Sequence, residues 1–123
     1  MPKEIKIKWL AVPEDHDYPS ALSFLSLIYD EAIATKKVND LKRASVTMFK
    51  AKDIFRASCL SLLGISNTHV AKDQLKIQSG NEMSPLLLVR DTANGKVIIA
   101  DGYHRLCAVY SYDEDAVIPC KIV

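Results

Sequence analysis

A chain of 123 residues, 49% hydrophobic and 25% charged, is long enough for one packed core and too short for two ordinary domains. Lys plus Arg total 16 against 15 for Asp plus Glu, a net charge of +1 that excludes a protein-wide basic field for nucleic acid and an acidic solvating tail. The three cysteines, Cys59, Cys107 and Cys120, lie far apart with no Cys-x-x-Cys spacing, which excludes a disulfide scaffold and a zinc knuckle and points to a reducing, cytoplasmic setting.

Ile5, Ile7 and Trp9 alternate with Lys6, Lys8 and Leu10, a period of two that predicts a first strand ending at Val12 and Pro13. No apolar signal core precedes it, and no apolar run approaches membrane-spanning length, so no membrane contact is expected. From Pro19, the residues Ala21, Phe24, Leu25, Ile28, Tyr29, Ala32 and Ile33 fall on one face at helical spacing. They predict one amphipathic helix, whose apolar face packs internally or in a homodimer. Residues 36–43 turn polar and basic and read as a connection. Val46 to Phe49 reads as a short strand before a helix over residues 52–63, with Gly64 as its stop. Asn67 or Thr68 caps a further helix that runs to Ser79, where Gly80 closes it.

Residues 86–89 and 97–100 are short apolar runs, read as strands buried on both faces and joined by a hairpin turn at Asn94 and Gly95. A helix from Tyr103 to Tyr112, an acidic turn at residues 113–115 and a terminal strand over residues 117–123 complete the order, with Pro119 suggesting an edge position. The expected architecture is a compact α+β domain spanning residues 1–123, a small mixed sheet with several packed helices. Residues 1–50 form its N-terminal strand and helix extension.

The informative stretch is residues 97–108, a buried strand that turns at Asp101 and Gly102 into a helix with His104 and Arg105 in its first turn. A helix start presents backbone N–H groups without intrahelical partners and a partial positive charge, so a phosphate placed there meets donors at once. Gly102 lets backbone approach closely, and His104 and Arg105 add donors. The alternative is structural: Asp101 caps the helix or pairs with Arg105 one turn later. Asp101 would otherwise repel a phosphate unless it orients Arg105 or helps to hold a bridging metal.

The run from Ser84 to Arg90, the Asn94-Gly95 turn, the segment Ile99-Ala-Asp-Gly-Tyr-His-Arg-Leu-Cys-Ala108 and the closing Ile118-Pro-Cys-Lys-Ile122 resemble the ParB/sulfiredoxin superfamily. The resemblance covers about the last forty residues, and the rest only by element order. Partition proteins carry Gly-Glu-x-Arg-x-x-Ala at this turn and sulfiredoxins Gly-Cys-His-Arg-x-x-Ala, so Gly102, His104, Arg105 and Ala108 match, and Tyr103 takes the variable place. The resemblance implies a nucleoside triphosphate at this helix start, ATP or CTP, with Mg2+. Tyr103 supplies neither the sulfiredoxin thiolate nor the partition glutamate, so sulfiredoxin chemistry is not expected, while triphosphate hydrolysis stays open. Cys107, one turn on, is the substitute nucleophile in the alternative of a sulfiredoxin-like, ATP-dependent redox enzyme, and otherwise reads as a small core residue.

A second reading is a DNA-binding module over residues 52–79. Gly64 falls at the turn of a helix-turn-helix and Val70 at its packing anchor, although Leu60 is large for the helix contact and Leu75 is out of register. Asn67, Thr68, His69 and Lys72 would then face bases or phosphates. A third arrangement turns His69, Lys72 and Arg56 toward the nucleotide from across a cleft, because a triphosphate needs several basic partners.

Overall fold

The computed structural model describes residues 6–64 and 66–123; the expected contribution of Ile5 to the first strand lies outside them. A four-stranded mixed sheet carries the fold, built from β2 (Thr47–Lys50), β4 (Leu86–Asp91), β5 (Lys96–Asp101) and β6 (Val117–Ile122) in the spatial order β2-β6-β4-β5. β6 runs antiparallel to β2 and parallel to β4, and β4 and β5 form an antiparallel hairpin. β1 (Lys8–Trp9) pairs in parallel with β3 (Glu82–Met83), a two-residue ladder shorter than the alternation predicted.

The apolar runs in β4 and β5 are buried on both faces, as their composition required. Leu86, Leu88 and Ile99 face a core shared with α3 (Ala51–Ser58), α4 (Thr68–Gln78) and α5 (Tyr103–Tyr112). Leu87, Val89, Ile98 and Ala100 face a second core under α1 (Asp17–Leu25) and α2 (Glu31–Arg43). A strand that alternates between two cores has no polar face, so it reads as a continuous hydrophobic run.

The single helix expected from Pro19 to Ile33 is two helices. α1 stops at Leu25, the Ser26 hydroxyl donates to the Leu22 carbonyl at 2.7 Å, and Asp30 opens α2 by accepting from the Ile33 N–H at 2.9 Å. Tyr18, Ala21 and Leu25 are buried internally, whereas Phe24, Ile28 and Ile33 of the expected stripe are exposed. The polar connection expected at residues 36–43 is instead the second half of α2. Its inward residues Ala34, Val38 and Leu41 recur at helical spacing, and Lys36 and Arg43 flank Asp40 on the outer face at 3.0 and 2.6 Å.

α3 ends at Ser58 rather than near Leu63. Cys59 takes the left-handed closing conformation (φ 59°) that the sequence assigned to Gly64. α4 follows its signals: the Asn67 carboxamide accepts from the His69 and Val70 N–H groups at 3.0 and 3.2 Å. Gly80 (φ 73°) closes the helix, with Gly80 and Asn81 donating to the Ile77 and Lys76 carbonyls. The β4–β5 connection is longer than a two-residue turn, with Thr92–Asn94 in a 3-10 turn and Gly95 supplying the positive φ. Pro119 lies in an interior strand, not at an edge. It faces Met48 only, because the ladder to β4 begins one residue later at Cys120.

Candidate functional site

β5 delivers the site. Its pairing with β4 steps from Ile99 opposite Leu88 to Asp101 opposite Leu87, leaving Ala100 as an extra residue just before the turn; such a bulge bends a strand and re-aims the side chain that follows. Gly102 then adopts φ 108°, and α5 starts with no side chain capping it. A Cβ on Gly102 would meet Leu86 Cγ at 2.7 Å and the Arg105 guanidinium at 3.0 Å, so only glycine fits. The first intrahelical bond runs from the Leu106 N–H to the Gly102 carbonyl at 2.9 Å, which leaves the N–H groups of residues 103–105 as free-end donors.

Asp101 does not cap α5. It accepts from Arg105 Nη2 at 3.0 Å, and the same nitrogen lies 3.5 Å from the Pro85 carbonyl. The Arg105 side chain is only 18% exposed, and its Nε is buried without a hydrogen-bond partner among the described residues. Burial raises the Asp101 carboxyl above the usual range, and the neighbouring Arg105 opposes that shift without cancelling it.

α4 forms the opposite wall. Together the two helices enclose a cleft of about 230 Å³ whose lining includes Asp101, Gly102, His104 and Arg105. From α4 come His69 and Lys72, as the third sequence reading expected, together with Asp73 and Lys76, which that reading did not include. Spacing contained the signal: residues 69, 72, 73 and 76 stand at i, i+3, i+4 and i+7, one stripe of a helix. Lys76 is 3.8 Å from Asp73, whereas Lys72 is exposed and forms no salt bridge among the described residues. Burial raises the Asp73 carboxyl, with Lys76 and Arg105 acting the other way. The His69 and His104 rings sit 4.9 Å apart, and burial followed by repulsion from His69 lowers the His104 pKa below its ordinary value.

Two expected residues lie elsewhere. Arg56 does not line the cleft; it is exposed on α3, 3.8 Å from Asp53. Tyr103 turns away from it, and its hydroxyl donates to the Ser61 carbonyl, holding the loop after α3. The helix-turn-helix geometry is not formed either, because residues 59–67 separate α3 from α4 where that motif needs a turn of about three or four residues.

Cys107 and Cys120 are buried, and burial pushes both thiols up, Cys120 to about 12. Neither is a poised thiolate. In native protein at neutral pH, a mild alkylating agent should therefore label exposed Cys59 alone; mass spectrometry that finds Cys107 labelled as quickly would contradict this burial.

Comparison with protein-family models, with curated proteins and with solved structures finds no match to this chain. Among the described residues, no helix is long and apolar enough to cross a membrane.

Proposed function

We propose that this domain binds a phosphorylated small molecule in the α4–α5 cleft, with the phosphate against the N–H groups that open α5. The observation that carries the reading is Arg105: a mostly buried guanidinium, oriented by Asp101, lines the cleft beside the open end of α5. Lys72 and Lys76 supply further positive partners, and the two histidines add ring donors. Drug-sized ligands fill roughly 300–1,000 Å³, so a cleft of about 230 Å³ suits the phosphates of a nucleotide, with its sugar and base outside.

The resemblance to the ParB/sulfiredoxin superfamily extends the proposal to ATP or CTP with Mg2+. Mg2+ commonly uses one or two carboxylates plus ligand phosphates. Asp101 and Asp73 fit that role, since each has one carboxylate oxygen outside its pairing with Arg105 or Lys76. The ion would offset phosphate charge that the two acids otherwise repel.

Calorimetric titration with ATP, CTP and inorganic tripolyphosphate, with and without Mg2+, tests the proposal. Saturable binding that Arg105→Ala or Lys72→Ala weakens by about tenfold or more is expected, with circular dichroism confirming that each variant is folded. Heat that never saturates with any of the three ligands overturns it, as does binding that both variants retain. Binding to duplex DNA that ignores Arg105 would replace it with the DNA-binding reading.

Affinity should also depend on pH in a fixed direction. His104 is neutral at neutral pH because its pKa is lowered, and a bound anion favours the imidazolium, so binding takes up protons and tightens as pH falls. Loss of negative charge at Asp73 and Asp101 acts in the same sense. Sulfate, whose own charge is constant, should therefore bind more tightly at about pH 5.5 than at about pH 7.5, and less steeply so in His104→Gln.

A further inference from the structure

A second cavity, also of about 230 Å³, opens between α3 and the sheet. Its walls are apolar: Phe49 from β2, Ile54 from α3, Leu88 from β4 and Val97 from β5. Two opposite charges join this lining, Arg90 two residues beyond Leu88 on the same face of β4, and Asp53 next to Ile54 on α3. Arg90 is exposed and its guanidinium makes no hydrogen bond or ion pair among the described residues. Although both line one cavity, Arg90 and Asp53 do not pair with each other; Asp53 has Arg56 at 3.8 Å instead.

From this arrangement we infer that the cavity is a binding site for an apolar α-amino acid of about leucine size. The side chain would lie on Phe49, Ile54, Leu88 and Val97, the carboxylate would meet the free fork of Arg90, and the ammonium would meet Asp53. Each group has its reason. Apolar walls reward a hydrocarbon body, an unpaired guanidinium matches a carboxylate in two parallel bonds, and an acid in the same lining matches an ammonium. The volume, in a depression open to solvent, accommodates a leucine or isoleucine side chain. A simple carboxylate would share the lining with the like charge of Asp53 and carry no cation to offset it, so the zwitterion is the better fit. This site is separate from the α4–α5 cleft in its lining residues and does not depend on the reading of that cleft.

The test is NMR titration of the full chain, following the methyl signals of Ile54, Leu88 and Val97, with L-leucine, 4-methylpentanoate and 3-methylbutylamine. L-leucine should shift them saturably with a Kd of about 1 mM or tighter, and the two analogues, each lacking one charge, should bind about tenfold or more weakly. Arg90→Gln and Asp53→Asn, both at exposed positions, should each weaken L-leucine about tenfold or more while leaving the rest of the spectrum in place. Absence of saturation with L-leucine overturns the inference. Equal binding of 4-methylpentanoate, an unchanged Kd in Arg90→Gln, or shifts that follow protein rather than ligand concentration also overturn it, the last showing that a second copy of the chain covers this face.

Discussion

Gly102→Ala should cost about 2–5 kcal/mol of stability, the sum of about 1–2 for placing a Cβ at positive φ and about 1–3 for forcing it into packed side chains. The added carbon would stand 2.7 Å from Leu86 Cγ at a backbone φ of 108°. For a domain whose whole stability is about 5–15 kcal/mol, that loss lowers the melting temperature by roughly 10–20 °C. A double-mutant cycle separates the two contributions. Leu86→Ala alone removes a fully buried side chain and should cost about 2–5 kcal/mol, yet it also makes the space that the new Cβ needs. Adding Gly102→Ala to it should therefore cost only the backbone part, a favourable coupling of about 1–3 kcal/mol. Strict additivity in denaturant unfolding would show that Leu86 does not press on this turn.

Leu41→Ala discriminates between the two readings of residues 36–43. In the structure Leu41 is fully buried against the second core, and its truncation should cost about 2–5 kcal/mol. In a polar connection the same change would be nearly neutral. Asn39→Ala, on the exposed side of the same helix, should stay within about 0.5 kcal/mol. Equal, small effects at both positions would mean that α2 does not cover the sheet as described.

Legibility in the sequence followed the strength of local chemistry. The β4–β5 hairpin, the turn at Gly102 and α5 were readable because continuous apolar runs and a glycine at a tight approach leave few alternatives. α4 was readable because Asn67 and Gly80 mark its two ends. The break between α1 and α2 was not, because no Gly or Pro lies between Leu25 and Asp30 and the apolar stripe runs straight through it; only the Asp30 cap gave it away. The end of α3 was hidden because Cys59 does the work usually left to glycine. In the candidate site, local spacing gave the Asp101–Arg105 turn. Which face of α4 lies opposite is a tertiary fact, so Asp73 and Lys76 went unassigned and Arg56 was misplaced.

The place of β6 in the sheet bears on how a newly made chain survives its own synthesis. Thr47 is paired with Cys120 and Leu86 also with Cys120, so one late strand joins two much earlier ones. On the ribosome, residues 86–89 emerge as four consecutive aliphatic side chains whose neighbour on one flank, β6, has not yet emerged. Until it arrives, the nascent polypeptide presents unsatisfied main-chain groups beside a greasy surface, the state in which chains stick to one another or are held by chaperones.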